Sequence, residues 1–408
     1  MNKKFRFIKK VFVVVLLILS IGIQGVTANA SDKEYKKLEE LTFEEISTAA
    51  LNFAKDFCEL PLEIGEIIPI YNYDYQLIGY SVSYLYDNIS YGYIDFDFTN
   101  EEFINDFSIQ EEALSPLESL SKRVLSFCQE YEVEKILLKG NYLEYTIVLT
   151  DINGNKYYYS RENGIISSDG FKEKADELRK LYGDLYSSGT IYYSARAIFT
   201  NSYISGSTVL EGPTYMQKFT PSLSALSQGL FETLNNRYAC AVAALTEIAA
   251  QEGILVTGYS DLDDRIMYTF DALWSYTNTY VDHSNNGYDY GSTYDSDIGP
   301  GMLTHCYDMG KYSTVYNTTT SPSYTFYKTA VTDNASSTFS YRIYINELGT
   351  TIVAGHTVNV VGYCKASYSG SVSYYLIVAN GWDYATTQYI NISNVDFINN
   401  YGVRFYIS

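Results

Sequence analysis

Cys240 is the side chain in this sequence best suited to nucleophilic chemistry. It opens the run Cys240-Ala241-Val242-Ala243-Ala244-Leu245-Thr246-Glu247-Ile248-Ala249-Ala250. That run is apolar on nearly every face, which predicts a central buried helix. Asn235 and Asn236 precede it as candidate caps, and Gly253 follows as a candidate stop. A thiol at a helix N-terminus meets unpaired N–H groups and the positive end of the dipole, so its pKa is expected to fall toward the thiolate. The competing reading is a small hydrophobe packing the helix. Cysteines also stand at 58, 128, 306 and 364. An odd total leaves at least one thiol unpaired, and no two have metal-ligand spacing. The pairings 58–128 and 306–364 are compatible with the count, though spacing alone does not assign them.

A thiolate nucleophile needs a group that exchanges a proton near neutral pH, usually histidine. The chain has three. His283 lies in the polar stretch Asp282-His283-Ser284-Asn285-Asn286-Gly287 and reads as an exposed loop residue. His305, in Met302-Leu303-Thr304-His305-Cys306-Tyr307, reads as a structural residue on a helix. His356 follows Gly355 and heads Thr357-Val358-Asn359-Val360-Val361-Gly362-Tyr363. The reading is that a strand breaks at Gly355, which lets another group approach, and that a long apolar strand begins with the imidazole. The imidazole needs an acceptor to fix its tautomer. Asn380, at the end of the predicted strand Tyr374–Ala379 and ahead of Gly381 and Trp382, is the candidate, although Asn-Gly is also a hairpin turn signal. A metal site built from His283, His305, Cys306 and His356 matches no standard spacing, so neither a metal nor a cofactor is expected.

The order Cys, His, Asn resembles the papain-like superfamily. Asn380-Gly381-Trp382 is similar to that superfamily's Asn motif with its adjacent Trp. Gly355-His356 and the strand to Gly362-Tyr363 resemble double-glycine-peptidase-like proteins, and an exported acidic segment ahead of a Cys-Ala-Val-Ala helix resembles streptopain-type peptidases. The resemblance covers roughly residues 200–408. It implies an α+β catalytic domain, with a buried helix bearing Cys240 packed on an antiparallel sheet bearing His356 and Asn380. It also implies that Trp382 shields the base. The family's oxyanion Gln, about six residues before the nucleophile, is missing: Leu234 stands there. Asn235, Asn236 or Gln228 are the candidates to supply a carboxamide N–H.

The elements that must position these groups follow from patterning. Lys3, Lys4, Arg6, Lys9 and Lys10, the apolar run Val11 to Ile23, and Ala28-Asn29-Ala30 read as a signal peptide over 1–30. A chain released to the exterior, with no membrane association after cleavage, is expected. Residues 31–190 are densely charged, with a net of −17, whereas 191–408 carry −8 and are rich in Tyr, Ser, Thr, Asn and Gly. The overall −20 argues against nucleic acid and anionic membranes as partners. The shift predicts two bodies. In 31–190, Thr42 to Glu45 suggests a capping box ahead of an amphipathic helix. Alternating stretches around 67–98 and 142–159 predict antiparallel strands. Helices are expected near 115–132 and 171–182. This first body has no His and reads as a propeptide-like α+β domain. Residues 191–225 read as a linker and processing region, and 226–408 as the peptidase domain.

The expectation is therefore a secreted cysteine peptidase made as a zymogen, acting on protein or peptide substrates, with its own propeptide as intramolecular inhibitor. Alternatives are a cell-wall peptide hydrolase or amide transferase on the same fold, or a non-catalytic surface-binding protein.

Overall fold

The computed structural model describes residues 40–99, 103–140, 145–161, 163–182, 208–219, 236–285, 287–347, 350–368, 371–381, 387–393 and 397–408. The expected signal peptide, most of the expected linker, Gln228, Asn235 and Trp382 lie outside them.

Helix α1 (Phe43–Ala54) begins with the expected capping box. The Glu45 N–H donates to Thr42 Oγ1 at 3.2 Å, and the Thr42 N–H donates to Glu45 Oε2 at 2.9 Å. Strands β1 (Glu63–Tyr71), β2 (Leu77–Tyr86), β3 (Ile89–Asp97) and β4 (Ile104–Ser108) form an antiparallel meander. Helix α2 (Pro116–Phe127) has a second capping box, Ser115 with Glu118. Strands β5 (Glu132–Lys139), β6 (Tyr145–Thr150), β7 (Lys156–Ser160) and β8 (Gly164–Ser167) and helix α3 (Ser168–Tyr182) complete the first body. Its alternating and helical patterns are realised close to where the sequence puts them.

Strand β9 (Thr208–Tyr215) lies within the expected linker, yet it pairs antiparallel with β15 (Thr350–Tyr368). Part of that segment is thus built into the second body. After β10 (Arg237–Tyr238) come α4 (Cys240–Gln251), α5 (Leu262–Tyr276), β11 (Tyr280–Asn285), β12 (Tyr288–Ser292), α6 (Asp295–Asp308), β13 (Val315–Thr320) and α7 (Tyr324–Thr332). Then come β14 (Ser336–Glu347), β15, β16 (Ser371–Ala379), β17 (Gln388–Asn391) and β18 (Phe397–Tyr406). The molecule is α+β. Among the described residues no helix is long and apolar enough to cross a membrane.

The two halves form one continuous sheet. Its order is β13-β18-β14-β15-β16-β17-β4-β3-β2-β1-β5-β6-β7-β8, with β9 against β15. The seam is β17 against β4, where Tyr389 pairs with Phe107. The rings of Phe107 and Tyr389 stack at 4.3 Å, and Phe107 meets Tyr375 edge-on at 5.4 Å. Ser108 Oγ donates to the Thr387 carbonyl at 2.6 Å. One hydrophobic core contains Ile46, Val82, Phe96 and Phe107 from the first body and Val361, Cys364, Ile377 and Tyr389 from the second. The change in composition therefore marks two characters of surface, not two separate cores. A second core lies beneath α4, α5 and α6. All five cysteines are free thiols. Cys306 belongs to the core beneath α4 and Cys364 to the shared core, which sets aside the 306–364 pairing along with 58–128.

Candidate functional site

Helix α4 is buried over Ala241–Ala250, as its all-round apolar pattern requires. It starts at Cys240 itself. The N-cap is Ala239, which offers no side-chain cap, so Asn236 is not the cap residue. The first-turn N–H groups therefore stay available to the Cys240 sulfur, which interacts with the main-chain N–H groups of Cys240 and Ala241. At the other end Gly253, at φ +69°, closes a Schellman motif. Its N–H reaches the Ala250 carbonyl and that of Ile254 reaches Ala249.

The sulfur also lies near Thr357, whose main chain and hydroxyl pull the thiol pKa down. Thr357 follows His356 on β15, so candidate nucleophile and candidate base meet at one short stretch of strand. Strand β14 flanks that stretch, with Tyr341 opposite His356 and Ser340 opposite Thr357. On the other side the β16 register begins only at Asn359, opposite Ala379. The N-terminus of α4 approaches where β16 has ended. Strand β15 runs unbroken from Thr350 through Gly355, which pairs with Arg342. The expected break at Gly355 is absent. A Cβ at Gly355 would meet the Arg342 side chain at an ordinary 3.5 Å, so the glycine is not required by a close approach.

His356 is buried. Its Nε2 lies 2.9 Å from the main-chain oxygen of Asn380, just past the end of β16. A carbonyl only accepts, so Nε2 carries the hydrogen and Nδ1 is the basic nitrogen of the neutral ring. Asn380 thus orients the imidazole through its backbone. Its carboxamide Nδ2 donates to Gln388 Oε1 at 2.6 Å. The Tyr341 ring meets the imidazole edge-on at 5.8 Å.

Along β15, His356 shares a face with Val358 and Val360, in the core that also holds Tyr341 and Phe339. Thr357, beside the sulfur, shares the opposite face with Asn359, which lies near Glu247 of α4. The thiol thus lies beside the neighbour of His356.

Burial decides the protonation of both. It raises the Cys240 thiol above its usual 9.0, outweighing the N–H groups and Thr357, which pull it down. The expected fall toward thiolate is therefore not realised in this state. Burial also pushes His356 down to about 4. The Asn380 carbonyl opposes this, and the Arg161 guanidinium of the first body adds to it. Thiol and imidazole are both neutral at pH 7. Two turns along α4, buried Glu247 is raised well above the usual carboxylate range by desolvation, which nearby Asn359 partly offsets.

The first body covers this site. The Arg161 nitrogens are buried, and α3 packs against β14. Beyond Gln388 lies a buried polar cluster on β3 and β4. Gln388 Nε2 donates to Tyr93 Oη at 3.3 Å. Asn105 Nδ2 donates to Asp106 at 2.7 Å, the Tyr145 hydroxyl donates to Asp95 at 2.7 Å, and Lys139 is ion-paired with Asp97. Asp95 and Asp106 are cross-strand partners, and burial raises both carboxyls, Asp95 further through the Asp106 charge.

Of the remaining candidates, Asn236 is exposed and adopts φ +55°. Its carbonyl accepts the Asp289 N–H at 2.9 Å. His283 stacks on Tyr290 at 4.6 Å and pairs with Asp282 at the surface. His305 is buried, with Nε2 2.8 Å from the Ile254 carbonyl, and is structural. Among the described residues no group of three or more His, Cys, Asp or Glu is disposed to hold a metal ion. Thr357, Arg161, Tyr341 and Gln388 were missed by sequence reasoning. Only Thr357 carried a signal, as the neighbour of His356. No protein-family model matches the chain, and no curated protein is detectably similar to it.

Proposed function

We propose that this protein is a cysteine peptidase in its latent form, with a papain-like catalytic half bearing Cys240, His356 and Asn380. The observation that carries this reading is the meeting of Cys240, at the uncapped start of a buried helix, with the strand residue beside an imidazole oriented by Asn380. In the engaged state His356 Nδ1 takes the Cys240 proton, and the thiolate attacks the substrate carbonyl carbon. The oxyanion is received by main-chain N–H groups at the start of α4. The imidazolium returns its proton to the leaving amine as the C–N bond breaks. Water, deprotonated by neutral His356, then cleaves the thioester and frees the acid.

Two neutral groups, with the Arg161 cation near the base, support a latent rather than an engaged pair. The shared seam supports the first body as the element that holds it latent. Export through residues 1–30 belongs to the same proposal. The test is labelling by a thiol-directed covalent inhibitor, together with peptide hydrolysis, before and after removal of the first body. Labelling confined to Cys240 that rises on removal is expected, and Cys240→Ala should abolish hydrolysis and self-processing. Self-processing that persists in Cys240→Ala, or a Cys240 that stays unlabelled in the processed, folded chain, would refute the reading.

A further inference from the structure

Gln388 has no part in the reaction just described, yet it stands between the catalytic half and the first body. It heads β17, eight residues after Asn380 and next to the seam pair Tyr389–Phe107. It is buried, with each end of its carboxamide engaged. Oε1 accepts from Asn380 Nδ2 at 2.6 Å, and Nε2 donates to Tyr93 Oη at 3.3 Å. Both Gln388 and Tyr93 also bear on the Asp106 carboxyl. A carboxamide has a fixed donor end and a fixed acceptor end. With Nε2 donating to Tyr93 Oη, Oε1 faces Asn380. That contact fixes the residue whose backbone carbonyl holds the imidazole.

We propose that Gln388 is a positioning residue for His356, set in place by Tyr93 of the first body, so that the first body governs the base through a chain of hydrogen bonds. The proposal rests on the peptidase reading for its functional meaning. Its physical content is a dependence of the His356 ring on Gln388 and Tyr93. Departure of the first body frees the Gln388 N–H groups, lets the carboxamide turn, and releases Asn380 and the ring to a new orientation.

The chain has only three histidines, so ¹⁵N-imidazole NMR on the full chain can follow His356 directly. Gln388→Met keeps the length and removes both hydrogen bonds. It should deplete the Nε2–H tautomer of His356 and raise its titration midpoint by about one pH unit, because a loosened ring regains water. Tyr93→Phe removes one hydroxyl and should move His356 the same way by less. His305, fixed on Ile254, should not move in either variant. An unchanged His356 tautomer and midpoint in both variants overturns the proposal. If Gln388→Met also disturbs His305, Tyr93→Phe decides on the same readout. Absence of hydrolysis by the processed wild type would remove the peptidase reading without altering this result.

Discussion

Acid should weaken this fold through His356. In an unfolded chain a histidine titrates near 6.5, whereas burial and Arg161 take His356 down to about 4. The folded state therefore favours the neutral ring. Between those two values the unfolded chain binds the extra proton, so stability rises with pH across the window and is lost as pH falls through it. The full difference corresponds to about 3 kcal/mol, complete below about pH 4 and absent above about pH 7. Carboxylates and His305 also titrate in acid, so the quantity to measure is a difference. Urea unfolding of wild type and His356→Gln, followed from pH 7.5 to 4, isolates it. Gln keeps a polar group near Asn380 and cannot be charged. Wild type should lose about 2–3 kcal/mol more than the variant over that range, most steeply near pH 5. Parallel curves would refute the claim that His356 is held neutral by its surroundings. Because the ring lies beneath the first body, limited proteolysis should show the same pH dependence in release of that body.

Two further outcomes follow from the seam. Phe107→Ala deletes a fully buried ring shared by both halves and should cost about 3–5 kcal/mol, with Cys240 labelling accelerated as the seam opens. Urea midpoints and labelling rates on the same preparation check both. Asp95→Asn should stabilise the chain at pH 8 more than at pH 5. The raised Asp95 pKa means that the folded state prefers the proton, so its contribution is present in acid and lost as pH rises toward the folded value. A stability gain that does not grow with pH would contradict this.

Much of the architecture was legible in local pattern. The Thr42–Glu45 capping box, the alternation of Tyr91 to Phe98, the all-apolar helix at 240 and its stop at Gly253 are short-range features, governed by backbone hydrogen bonding and side-chain periodicity. The candidacy of His356 was legible too, because the chain has few histidines and only one lies on a long apolar strand. The sequence could not indicate that the charge boundary near 190 conceals a shared core. Phe107 and Tyr389 are far apart in the chain, and only the closed sheet stacks them. Nor could it anticipate that burial would outweigh the helix terminus and leave Cys240 a thiol. Desolvation depends on how the elements pack around a group, which local pattern does not show. The same holds for Gln388 and Arg161, whose neighbours no spacing rule supplies. Local sequence determined on which elements Cys240, His356 and Asn380 ride. Tertiary packing decided their protonation and their relation to the first body, because those depend on desolvation and long-range contacts.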